Sequence, residues 1–79
     1  MKLPRDLSGR ELAALLCRNW GYRVVDQEGS HLLLVTEKPT HHRLAVPNHS
    51  ALRIGTLNNI LRSVARLQGV EREDILRVL

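Results

Sequence analysis

Between Tyr22 and Pro47 the chain carries three short β-rich runs, separated by breaks too brief to hold a helix. Parallel neighbours need a crossover of about a dozen or more residues, so an antiparallel meander is the natural arrangement of these runs. The first run is Tyr22-Arg23-Val24-Val25, and Gln27 to Ser30 reads as the turn that follows. His31 to Thr36 is the second, with an almost unbroken apolar stretch from Leu32 to Val35. Such a stretch predicts one side against the core and the other at least partly covered. Lys38-Pro39-Thr40 breaks it, His42 to Val46 forms the third run, and Pro47 ends that one.

A three-stranded sheet cannot bury its apolar face alone, and the sequence supplies a helix on either side of it. Ser8 and Glu11 stand at capping-box spacing, and Leu7 and Leu12 stand where a hydrophobic staple needs them. Leu12, Leu15, Leu16 and Trp20 recur at helical spacing, which predicts a helix over Gly9 to Trp20 with Gly21 as a left-handed cap. Thr56 reads as the N-cap of a second helix. Leu57, Ile60, Leu61, Val64 and Leu67 mark its core face, Asn58, Asn59, Arg62, Ser63 and Arg66 its other faces, and Gly69 its end. Glu71 to Leu79 can form a short third helix in which Ile75, Leu76 and Leu79 pack back and Glu73 pairs with Arg77. The expected fold is α+β, in the order α-β-β-β-α: a three-stranded antiparallel sheet, two helices on one face and a short C-terminal helix. Residues 1–79 are read as one domain.

A domain of this size has no room for a deep cavity, so the expected partner is a polymer or a protein rather than a small metabolite. The 12 basic residues outnumber the 8 acidic ones, and Lys2 and Lys38 are the only lysines. Arginine forks fit phosphate oxygens, which points mildly to nucleic acid or to an acidic protein. Cys17 is the sole cysteine and falls within a helical apolar pattern; it reads as a buried structural thiol in a reducing compartment. No apolar run suits a signal peptide or a membrane span, and a cytoplasmic location is expected.

The residue that stands out chemically is His31, directly after the Gly29-Ser30 turn and before the apolar run. A free imidazole exchanges protons near neutral pH. The N–H groups of the turn could hold a phosphate oxygen. From position alone the ring is either a surface polar group or a reagent. His41, His42 and His49 raise a metal reading, but adjacent strand residues face opposite ways and no compact ligand set is present, so no metal or other cofactor is expected. The same alternation argues against a Ser30–His31 nucleophile pair, and no phosphate-binding P-loop sequence occurs. Arg62 and Arg66 lie one helical turn apart and, with Asn58 and Asn59, either contact phosphates or form a solvated face. Tyr22 could stack on a base, though without a paired platform, which favours shape and backbone contacts with nucleic acid.

The order of these segments resembles a known family. A helix leads to Trp20-Gly21-Tyr22; Gly29-Ser30-His31 opens a strand; Ala45-Val46-Pro47-Asn48-His49 follows; and Gly55-Thr56-Leu57-Asn58-Asn59-Ile60-Leu61 opens the second helix. From about Leu7 through that helix the chain is similar to the HicA toxins of HicAB toxin–antitoxin systems. The resemblance implies a fold like that of double-stranded-RNA-binding domains. It implies an mRNA interferase whose catalytic residue is the histidine of Gly-Ser-His, here His31, and a HicB-like antitoxin that covers the active surface and carries the operon's DNA binding. Direct DNA binding by this chain is therefore not expected. The chain departs from the family at Glu28, where a basic residue often precedes Gly-Ser-His and where a carboxylate would repel phosphate. It also extends beyond the shortest members after Gln68.

These readings combine into a metal-independent endoribonuclease acting by histidine general acid–base catalysis, with a non-catalytic RNA-binding module as the alternative. His31 is the expected catalytic group. Gly29, Ser30, Lys38, Arg62 and Arg66 are the expected substrate contacts, and His49 and Lys38 the candidates for a second acid–base group.

Overall fold

The computed structural model describes residues 6–77. Helix α1 (Gly9–Asn19) leads into strands β1 (Arg23–Glu28), β2 (His31–Thr36) and β3 (His42–Pro47), followed by α2 (Ile54–Gln68) and the short α3 (Arg72–Leu76). The strands form one antiparallel sheet in the order β1-β2-β3, so β1 and β3 are its edges. The meander required by the short connections is therefore the observed topology.

Helix α1 starts where the sequence signals say it should. The Ser8 hydroxyl accepts from the Glu11 N–H at 3.0 Å, and the Glu11 carboxylate accepts from the Ser8 N–H at 3.0 Å. Leu7 and Leu12 are both buried beside it. At its other end Trp20 and Tyr22 both donate their N–H to the Leu16 carbonyl, and Gly21 takes the left-handed φ of 75° that lets the chain reverse. Gly69 ends α2 in the same way, at φ 71°, with the Val70 N–H closing on Ala65.

Four expectations are corrected. The turn after β1 is shorter than Gln27–Ser30: Gln27 and Glu28 pair with Leu32 and His31, leaving only Gly29 and Ser30 as the loop. Their polarity hid them, because every residue of β1 lies exposed on an edge strand. Helix α2 begins at Ile54, capped by the backbone of Arg53 rather than by Thr56. Its start is set by Leu52, which is buried and donates its N–H to the Leu7 carbonyl. The ion pair of the last helix joins Arg77 to Asp74 at 2.7 Å, not to Glu73. Asp74 also accepts from the Glu71 N–H, so it is already turned toward the helix start. Cys17 is half-buried rather than buried, and packs against the core. The expected packing of Leu79 lies outside the described residues.

Alternation along the strands gives the sheet two unlike faces. Leu32, Leu34, Leu44 and Val46 turn to the helices and join Leu12, Leu16, Leu57, Leu61, Val64 and Ile75 in the core. Each of these side chains that is fully enclosed contributes about 1.5–3 kcal/mol. The opposite face carries His31, Leu33 and Val35 from β2 with Arg43 and Ala45 from β3, and none of them joins that core. Val35 is nonetheless buried, flanked across the strands by Arg23 and Arg43.

Candidate active site

The hairpin between β1 and β2 is a two-residue turn. Gly29 adopts φ 58° and Ser30 does not have positive φ, the pattern of a type II′ turn with glycine first. That turn matches the twist of the strands and fixes the register, so Glu28 stands directly opposite His31. Among the described residues, neither the Gly29 nor the Ser30 N–H donates to a backbone carbonyl. The Ser30 carbonyl accepts from the Asn48 N–H, which ties the turn to the chain leaving β3.

His31 is exposed at the end of the sheet. Its partner on β3 is Pro47, and the partner on β1 is Glu28. Being first in β2, it shares the face of Leu33 and Val35, away from the helices. The same end of the sheet is braced by α1. The Gly9 N–H donates to the His49 carbonyl at 2.9 Å, and a Cβ built on Gly9 would stand only 1.8 Å from the Pro47 carbonyl oxygen. Gly9 is thus required for the helix to close on the strand end. The brace brings His49, exposed two residues beyond Pro47, to the end of the sheet that holds His31.

The other expected contacts lie elsewhere. Lys38 follows the far end of β2, where its carbonyl accepts from the Gln68 side chain at 3.2 Å. Arg62 and Arg66 project from α2 into a cleft of about 540 Å³ that they line with His42, Asn59, Ser63 and Leu67. His42 starts β3, and Pro47, the partner of His31, ends it. Five residue steps of strand separate the two, roughly 17 Å. The structure therefore brings Gly29, Ser30 and His31 together at one end and gathers Lys38, Arg62 and Arg66 at the other.

The cleft contains groups that sequence reasoning overlooked. The Tyr22 hydroxyl meets His42 Nδ1 at 2.9 Å, and Ser63 Oγ meets His42 Nε2 at 3.3 Å. Tyr22 is buried, which removes it as a stacking platform. Burial also raises the phenol above its ordinary value, an effect partly offset by a hydrogen bond from Gln68. Asn58 is withdrawn from the basic face, because its carbonyl oxygen accepts from Arg72. The spacing of Asn59, Arg62, Ser63 and Arg66 at i, i+3, i+4 and i+7 marked one helical face, but nothing in the spacing showed that His42 would close it. His41, next in the chain to His42, points elsewhere and pairs with Glu37 at 3.0 Å.

Among the described residues, no helix is long and apolar enough to cross a membrane. No curated protein and no solved structure matches the chain. The family model of the HicA toxin of bacterial toxin–antitoxin systems does match, over residues 9–65. That span opens at the glycine that seats α1, includes the Gly29-Ser30-His31 turn and closes within α2. The chain belongs to the HicA toxin family of bacterial toxin–antitoxin systems, a membership that implies a cognate antitoxin.

Proposed function

We propose that this toxin is a metal-independent endoribonuclease in which His31 removes the proton from a ribose 2′-hydroxyl. The observation that carries the reading is an exposed imidazole on an open sheet end, within the Gly-Ser-His turn of a HicA chain. RNA brings its own nucleophile. Once His31 takes the 2′-hydroxyl proton, the oxygen attacks the adjacent phosphorus and the bond to the 5′-oxygen breaks. His49 supplies the proton to that leaving oxygen, being the candidate at the His31 end of the sheet, whereas Lys38 lies at the opposite end. The N–H groups of Gly29 and Ser30 stabilise the charge that develops on the phosphate. A HicB-like antitoxin would silence the enzyme by covering this sheet end.

General acid–base help is worth about a hundred- to ten-thousand-fold. His31→Ala should therefore lose about a hundredfold or more of RNA cleavage, together with growth toxicity, while its unfolding midpoint stays put. A folded variant that cuts as well as its parent would remove His31 from the chemistry. Incubation of a labelled transcript should yield 2′,3′-cyclic phosphate ends, with or without chelator. Ends bearing a 5′-phosphate would mean attack by water instead. Salt-sensitive RNA binding without any new ends would make the protein a binding module.

A further inference from the structure

We propose that the cleft between α2 and the His42 end of β3 binds a backbone phosphate of the RNA, away from the bond that is cut. The inference rests on the RNA-cleaving reading above and adds a second point of contact with the same substrate. Arg62 and Arg66 stand one helical turn apart and are both exposed. Among the described residues neither lies within ion-pair distance of a carboxylate, and no carboxylate lines the cleft. What the cleft presents are donors: two guanidinium forks, the Asn59 amide and the Ser63 hydroxyl. Forks of this kind match the oxygens of a phosphodiester and bind them through charge-assisted hydrogen bonds.

The serine is not a free rotor. The buried Tyr22 hydroxyl lies 2.9 Å from His42 Nδ1, and Nε2 of the same ring lies 3.3 Å from Ser63 Oγ, so the imidazole links the phenol to the serine. A hydrogen-bonded relay rooted in the core thereby holds the serine at the surface.

Position selects RNA over an acidic protein segment as the occupant. Strand β3 is a sheet edge that starts beside the cleft at His42 and ends at Pro47, opposite His31. A nucleic acid strand following that edge is gripped at one end and delivered to the imidazole at the other, roughly 17 Å away.

The probe is a fluorescein-labelled RNA oligomer whose 2′-hydroxyls are methylated, so that it cannot be cut. Its affinity for the full chain is read by anisotropy across a salt series. Arg62→Gln with Arg66→Gln should weaken binding on the order of 10-fold or more. It should also flatten the salt dependence by about 0.7 in log–log slope, the value for one lost phosphate contact. Ser63→Glu should weaken binding to a similar extent, since it sets a carboxylate where the phosphate sits. Unchanged affinity and slope in these variants overturns the proposal, as does failure of the parent to bind the oligomer. It also falls if the arginine variant keeps its RNA affinity but loses affinity for polyglutamate, which would make the cleft a dock for an acidic protein. The two readings separate cleanly. Arginine-dependent binding by a parent that cuts no RNA upholds the cleft and ends the nuclease. Normal cutting and binding by the arginine variant does the reverse.

Discussion

At the hairpin end of the sheet the geometry is written in the main chain. A glycine with φ 58° turns β1 into β2, the Asn48 N–H reaches the Ser30 carbonyl, and Gly9 lets α1 rest against the Pro47 carbonyl. At the far end the geometry is written in side chains. Tyr22, His42 and Ser63 come from the residue before β1, the start of β3 and the middle of α2, and hydrogen bonds join them. A site defined by backbone is rigid and tolerates little change in its glycines. A site defined by a side-chain relay tolerates substitution, and loses orientation before it loses shape. The group proposed to react, His31, which would have to meet phosphorus within a narrow geometry, sits at the rigid end.

The sharpest way to break this contrast is Gly9→Ala. Helix propensity alone predicts a gain of about 1 kcal/mol, because alanine is the better helix former. Packing predicts the opposite, since the added methyl would meet a backbone oxygen that cannot rotate away. With an overpacking cost of about 3 kcal/mol set against that gain, the expected result is a net loss of about 2 kcal/mol, seen as a lower midpoint in urea. Because the strain falls on Pro47, cleavage should decline even in the fraction that stays folded. A stabilised, fully active variant would show that the helix start can slide and that the hairpin end is not rigid.

The same contrast explains what could be read from residues alone. The capping box of Ser8 and Glu11, the left-handed glycines and the apolar spacing of α2 are local signals, and each appears where it was expected. His31 was legible because a turn and a strand start lie within three residues of one another. The start of α2 was not, because Leu52 is fixed by a hydrogen bond to Leu7, far away in the chain. The cleft was half legible. Arg62 and Arg66 announced a basic face, whereas His42 looked like one of several scattered histidines until β3 carried it against Ser63. Tyr22 misled for the same reason: only the fold shows that its ring is covered and its hydroxyl occupied.

Tyr22→Phe removes one hydroxyl from the relay and nothing from the hairpin end. A net loss of about 1 kcal/mol is expected, the usual worth of such a hydrogen bond. Cleavage of a dinucleotide too short to reach the cleft should be unchanged, while affinity for longer RNA should drop. Equal damage to short and long substrates would mean that the two ends are not independent.

The smallest effect concerns the cap that starts α1 beside the hairpin end. The Ser8 N–H, and secondarily its hydroxyl, hold the Glu11 carboxyl below its ordinary value of 4.5. A carboxyl lowered in the folded state stabilises it above the unfolded value, and that contribution is lost as the pH falls through the folded value. Glu11→Gln keeps the reach back to the Ser8 N–H but removes the charge. At neutral pH the variant should melt slightly below its parent, and the gap should close as the pH drops below 4.5. A gap that persists into acid would assign the difference to the shape of the side chain. The helix start would then be held, like the rest of its end of the sheet, by geometry rather than by charge.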